Sequence, residues 1–151
     1  MVLRIYGHPE STNSYVIGML LKEKNVPFEL HAVDFVAKEH KSAAHLKKHP
    51  FGQIPYLVSI LSLIRAMPTT EQDDDGFILY ETRAMLRYID DQYQGTKFTP
   101  APSDLKAKAL FEQAASIEAF NFFPFATQAV REKVYKSYVY AILTSGEPLI
   151  T

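Results

Sequence analysis

The residue types that point most directly to chemistry lie in Pro50-Phe51-Gly52-Gln53-Ile54-Pro55-Tyr56-Leu57. Proline lowers the trans preference of the bond before it to roughly 0.5–1 kcal/mol, so a fold can hold a bend between Ile54 and Pro55 that other residues would resist. Such a bend would expose the amide and carbonyl of Ile54, where an extended ligand can pair as an added strand does. An ordinary two-proline loop is the alternative for this stretch alone. Ser11 opens a helical pattern, where a serine hydroxyl satisfies free amides for about 1 kcal/mol. Glu81 and Thr82 open another, where acid and hydroxyl residues are favoured for the same reason. His40 and Lys41 read, from their neighbours, as the solvated, mixed-charge start of a helix.

The rest of the composition narrows the function classes. The 151 residues suit one domain or slightly more, and 47% hydrophobic content supplies a packed core. Acidic and basic residues are interspersed at a net charge of −1, which leaves no footprint for nucleic acid. With no cysteine, the chain cannot form disulfides, thiolate zinc sites or a thiol nucleophile, and it suits a reducing compartment. The five histidines lack metal-ligand spacing, so no metal is expected. Met1 to Tyr6 is too short and too early in charge for a signal peptide, and no later run spans a membrane. The expectation is a soluble, cytoplasmic protein with neither a membrane nor a nucleic-acid partner.

Local patterns position these groups. Val2 to Tyr6 reads as a strand, ended by Gly7-His8-Pro9. A helix from Ser11 to about Lys24 places Val16, Met19 and Leu20 on an apolar face, with Asn25 as its stop. Phe28 to Val33 is a second strand, and the βαβ unit so formed is parallel with a right-handed crossover. A polar helix around Ser42 to Lys48 precedes the Pro50–Pro55 bend. Tyr56-Leu57 begins a third strand and Phe77 to Tyr80 is a fourth, with Asp73-Asp74-Asp75-Gly76 as their natural joint. Glu81 to Tyr93 is amphipathic through Ala84, Met85, Tyr88 and Ile89. Ser103 caps a long helix with Leu110, Ala114 and Ile117, which Pro124 interrupts or kinks before a further helix from about Phe125 to Tyr135. The fold class is α/β: a thioredoxin-like domain (βαβ-α-ββα) over residues 1–94, a linker at 95–102, and a truncated all-helical C-terminal domain over 103–151.

Four blocks resemble the signature of phi-type glutathione transferases: Gly7-His8-Pro9-Glu10-Ser11-Thr12, Glu39-His40-Lys41, Pro50-Phe51-Gly52-Gln53-Ile54-Pro55 and Glu81-Thr82-Arg83-Ala84. They stand in the family's order, and the resemblance covers residues 1–57 and 73–136. It implies conjugation of reduced glutathione, as co-substrate, to electrophilic small molecules in detoxification. The alternatives are an inactive transferase-like binding module or a non-functional mis-spliced product. By resemblance, the Ser11 hydroxyl bonds the glutathione sulfur and favours the thiolate, assisted by the helix N-terminus. Thr12 is a weaker candidate, and Tyr6 has a packing role. His40 and Lys41 take the glycine carboxylate end, with Gln53 supporting the same end or the peptide backbone. Ile54 before Pro55 pairs with the cysteinyl backbone, and Glu81 and Thr82 hold the γ-glutamyl group. The resemblance also implies a homodimer formed partly by the helix carrying Arg83 and Tyr88. Phe111, Phe120, Phe122, Phe123 and Phe125 are expected mostly in the core, some of them lining a pocket for the electrophile.

Three departures from the family pattern stand out. Ser14-Tyr15-Val16-Ile17 replaces a Thr-Arg-Arg-Val-like run, so two positive charges near the first helix are missing. The 15 residues Val58 to Gln72 interrupt the hairpin. Val58-Ser59 can be encoded as a splice donor and Gln72 as an acceptor, so a retained small intron is one reading and a genuine loop the other; sequencing spliced transcripts separates them. The helical part after Pro102 is about half the family's, and Ser137 to Thr151 looks unrelated to it, so exposed apolar helix faces are expected.

Overall fold

The computed structural model describes residues 3–59 and 77–136. Strands β1 (Leu3–Gly7), β2 (Phe28–Ala32), β3 (Tyr56–Ser59) and β4 (Phe77–Tyr80) form one mixed sheet in the order β2-β1-β3-β4. β1 and β2 are parallel across the helix α1 (Thr12–Glu23), while β3 runs antiparallel to both β1 and β4. Helices α2 (Ala43–Lys48) and α3 (Thr82–Gln92) complete the expected βαβ-α-ββα order. Alternation splits β1: Leu3 and Ile5 face a core with Ile17, Leu21, Leu57, Met85 and Ile89, while Tyr6 stacks on His31 and Tyr56. Tyr6 therefore packs, as read from its context.

Helix α1 turns a different face inward from the one its apolar residues suggest. Ser14, Ile17 and Leu21 are buried, whereas Val16 and Met19 are exposed, Met19 by 54%. Residues 16–21 are apolar or small on nearly every side, so periodicity does not single out one stripe. Asn25 does stop the helix, with φ of 54°.

β3 continues through Ser59, pairing Val58 with Ile78 and Ser59 with Phe77. The first two residues of the 58–72 stretch therefore lie in the sheet. Its remainder, the Asp73–Gly76 joint and residues 137–151 lie outside the described residues.

The chain divides into two compact units after Phe98. In the second, α4 (Leu105–Ile117) is capped by Asp104, whose Oδ1 accepts the Ala107 amide at 2.9 Å; Ser103 is not the cap. A carboxylate satisfies the free amides as a hydroxyl would and also complements the positive helix end. A π-helical turn, Glu118–Phe122, then leads into α5 (Phe123–Val130), with Pro124 in its first turn, and a second π turn spans Arg131–Tyr135. Pro124 interrupts the regular hydrogen bonding without ending the helix, because a first-turn residue needs no amide partner.

Leu110 and Ile117 are exposed, as expected of helix faces in this shortened part, and so are Phe120 (76%), Phe122 and Phe125, which as single residues were expected mostly in the core. Aromatics at 120, 122, 123 and 125 point around the whole helix, so one core cannot take them all. Phe111 and Phe123 are half-buried.

Candidate functional site

The sheet register brings the chemistry-bearing residues to one edge. Tyr6 pairs with Tyr56 and Tyr56 with Tyr80, so these three residues form a row across β1, β3 and β4. Beyond that row lie Gly7 to Ser11, the approach Gln53–Pro55, and Glu81–Thr82. A methyl on Gly7 would stand 3.3 Å from the Pro55 ring, which measures how closely the first two segments approach.

Ser11 is the N-cap of α1, in extended conformation, and its Oγ accepts the Ser14 amide at 3.4 Å. The hydroxyl proton has no acceptor among the described residues. The first turn of α1 contains no acidic residue to offset the positive helix end. Tyr15 and Val16, which replace the two arginines of the family pattern, are exposed. An anion placed before α1 would thus meet a hydroxyl donor and free amides, which is the setting that favours a thiolate.

Ser14 is a residue that sequence reasoning missed. It is buried, its Oγ accepts the His8 amide at 3.2 Å, and a methyl on Gly7 would collide with that oxygen. Ser14 therefore links the end of β1 to the Ser11 cap. Its position three residues after a serine N-cap, with a glycine at the end of the preceding strand, was the available signal.

The 3-10 turn Glu39–Lys41 is held against the loop before β3. Lys41 Nζ donates to the carbonyls of Gly52 at 2.9 Å and Phe51 at 3.3 Å, and no carboxylate among the described residues pairs with it. Its charge is positioned but not neutralised. Gly52 has φ of 57°, and a Cβ there would lie 2.7 Å from the His40 carbonyl, so only glycine admits this contact. The His40 ring tilts over Phe35 with centroids 4.5 Å apart, and Phe35 meets His8 edge-on at 6.1 Å. His40 Nδ1 is enclosed without a hydrogen-bond partner among the described residues. Desolvation, with Lys41 and His45 nearby, lowers the pKa of this imidazole from its ordinary value.

The Ile54–Pro55 peptide is cis, as the octapeptide allowed. Pro55 is buried and Ile54 half-buried, and neither the amide nor the carbonyl of Ile54 has a hydrogen-bond partner among the described residues. The Gln53 side chain is exposed while its carbonyl lies 2.8 Å from His45 Nε2.

Glu81 does not cap its helix through its side chain. It occupies the N-cap position of α3, but its side chain makes no capping bond and its backbone lies at φ 72°, ψ 109°. A non-glycine residue there is strained, by about 1–3 kcal/mol in similar cases. The exposed carboxylate is thereby left available at the start of a helix, beside half-buried Thr82. Among the described residues, no group of three or more histidines and carboxylates could hold a metal ion.

A hydroxyl, an ammonium held by carbonyls without a carboxylate partner, the amide and carbonyl of Ile54 and the Glu81 carboxylate thus lie toward one end of a thioredoxin-like sheet. The comparisons give this arrangement its family. A model described as the glutathione S-transferase N-terminal domain matches residues 1–91. The relatives include glutathione S-transferase PM239X14 of Arabidopsis thaliana, 37% identical over 137 residues, covering 89% of this chain and 56% of that protein. Glutathione S-transferase hmp2 of Hypomyces subiculosus is 36% identical over 140 residues, covering 91% and 58%. Among solved structures, glutathione transferase F7 from Populus trichocarpa has a TM-score of 0.70 at 32% identity, covering 90% of this chain and 57% of that one. The chain belongs to the glutathione S-transferase family, with plant phi-class members among its matches. It spans little more than half the length of these relatives.

Proposed function

We propose that this chain binds reduced glutathione at the sheet edge and stabilises its thiolate for attack on an electrophilic small molecule. The observation that carries this reading is the Ser11 hydroxyl, whose oxygen accepts the Ser14 amide while its proton has no acceptor among the described residues and can be donated to an incoming anion. A thiol with an ordinary pKa of about 8.5 is mostly protonated at neutral pH. A hydroxyl donor and a helix N-terminus lower that value and raise the fraction of the reactive form. The thiolate sulfur then forms a bond to carbon of the electrophile, whose leaving group departs with its electron pair.

The other residues position the tripeptide, converting binding into orientation. Lys41, with His40 and Gln53, takes the glycine carboxylate. Ile54 pairs with the cysteinyl backbone, and Glu81 with Thr82 receives the γ-glutamyl amine and carboxylate. The reading includes a cytoplasmic homodimer with a detoxifying role, with α3 around Arg83 and Tyr88 at its contact. Light scattering on the purified chain tests the assembly.

Ser11→Ala tests the chemistry with a dinitrohalobenzene as electrophile. Loss of one charge-stabilising donor should lower the conjugation rate by about 100-fold, with glutathione affinity largely kept. Glutathione binding without turnover in the wild type would mark a binding module. No rise in thermal midpoint with saturating glutathione would overturn the reading altogether.

A further inference from the structure

Two histidines lie beneath the site and take no part in the contacts assigned to glutathione. His45 and His49 are one helical turn apart and both are buried, His49 to 2% exposure. His45 engages the loop directly through the Gln53 carbonyl. His49 ends α2: its amide donates to the His45 carbonyl at 2.8 Å, and its carbonyl accepts the Gly52 amide at 2.8 Å. Its ring stacks on Tyr80 with centroids 4.7 Å apart and meets Phe51 edge-on at 6.2 Å. Phe51 in turn meets Tyr80 edge-on at 6.2 Å.

His49 is therefore a wedge between two halves of the site. On one side is the loop whose carbonyls hold Lys41; on the other is the residue that precedes strained Glu81. Its Nδ1 is enclosed with no hydrogen-bond partner among the described residues. A neutral imidazole can present a lone pair there, whereas protonation adds an unpartnered N–H and a charge in the same enclosed space. The surrounding groups are His45 on α2, Lys41 on the 3-10 turn, phenolic Tyr80 on β4 and Glu81 at the start of α3, while the loop contributes apolar Phe51. Burial is the largest influence and lowers the His49 pKa; His45 and Lys41 act in the same sense, and Glu81 opposes them.

We propose that His49 is a positioning residue of the glutathione site, clamping the Pro50–Gln53 loop to the Tyr80–Glu81 junction while its imidazole is neutral, so that acidification releases the ligand. The inference rests on the glutathione reading. A histidine whose enclosure disfavours the charged form takes up its proton more readily once the loop opens. The clamp is intact above the ordinary histidine range and is lost as pH falls through that range toward the folded value.

Calorimetry of the full chain with S-methylglutathione, which has no ionisable thiol, tests this between about pH 7.5 and about pH 5. Wild-type affinity should fall by up to about tenfold per pH unit at the acid end. His49→Asn and His49→Phe cannot titrate and should show a flatter profile. Parallel profiles in wild type and variants would overturn the inference while leaving the glutathione reading intact. Absence of binding even at about pH 7.5 would remove that reading and this inference with it. A second measurement needs no variant: by linkage, saturating S-methylglutathione should lower the His49 titration midpoint followed by NMR in the wild type, and an unchanged midpoint would overturn the proposal.

Discussion

Lys24 Nζ lies 2.7 Å from Asp90 Oδ1, with side-chain exposures of 0% and 2%. The ammonium also donates to the carbonyls of Thr96 at 2.9 Å, Asp90 at 3.3 Å and Tyr93 at 3.4 Å. The Asp90 carboxylate accepts the Phe98 amide, and Lys97 donates to the Asp90 carbonyl. The pair thus joins the C-terminal ends of α1 and α3 to the segment that follows, where helix dipoles favour a cation. Removing one member leaves the other charged and enclosed, so Lys24→Met or Asp90→Asn should cost about 3–5 kcal/mol. Urea unfolding measures this, and Lys24→Met combined with Asp90→Leu should recover part of the loss. A single-variant cost below about 1 kcal/mol, typical of an exposed pair, would mean that water reaches the charges.

Gly52→Ala should damage both stability and ligand binding. The left-handed conformation costs a non-glycine residue about 1–2 kcal/mol. The new methyl would also meet the His40 carbonyl at 2.7 Å and Lys41 Nζ at 2.9 Å, displacing the ammonium from its carbonyls. Glutathione affinity should therefore fall by more than the thermal midpoint predicts, and an unchanged affinity would show that Lys41 needs no such bracing.

Tyr56 titrates late. Burial, with Tyr6 and Glu39 nearby, pushes its phenol up to about 12. The folded value lies above the ordinary one near 10, so the stability contributed by neutral Tyr56 is present below about pH 10 and lost as pH rises through about 12. Phenolate absorbance during alkaline titration should show a late fraction that disappears in Tyr56→Phe. The same variant should move alkaline unfolding to higher pH.

Deleting residues 60–74 should leave the β3–β4 register intact. Ser59 would then reach Phe77 through Asp75-Gly76, a two-residue connection of the type favoured in hairpins. Shortening the 17-residue connection saves roughly 2 kcal/mol of loop-closure entropy. Deleting 58–72 also leaves Asp75-Gly76 as the turn, but it places Asp73 opposite Ile78 in place of buried Val58. That variant should be the less stable of the two, and thermal unfolding ranks them. Equal stability would mean that Val58 contributes nothing to the sheet.

Features that depend on residues a few positions apart were legible in the sequence. The Ser11 cap, the stop at Asn25, the βαβ crossover and the cis bond between Ile54 and Pro55 follow from side-chain oxygens, a tolerated left-handed residue and the tertiary amide of proline. Where several residues offered the same local signal, the choice failed. Asp104 caps α4 in place of Ser103, and Ile17 and Leu21 face the core in place of Val16 and Met19.

By itself, then, the sequence determined which local structures form, because capping, turn geometry and alternation act within one or two turns of chain. Tertiary structure alone decided that the segments carrying Ser11, Ile54 and Glu81 end at one sheet edge, through the register of Tyr6, Tyr56 and Tyr80, and that Lys41 is held to the loop before β3. It also decided the enclosure of His49 and the strained backbone of Glu81. Burial and strain arise from contacts between segments far apart in the chain, which local preferences cannot specify.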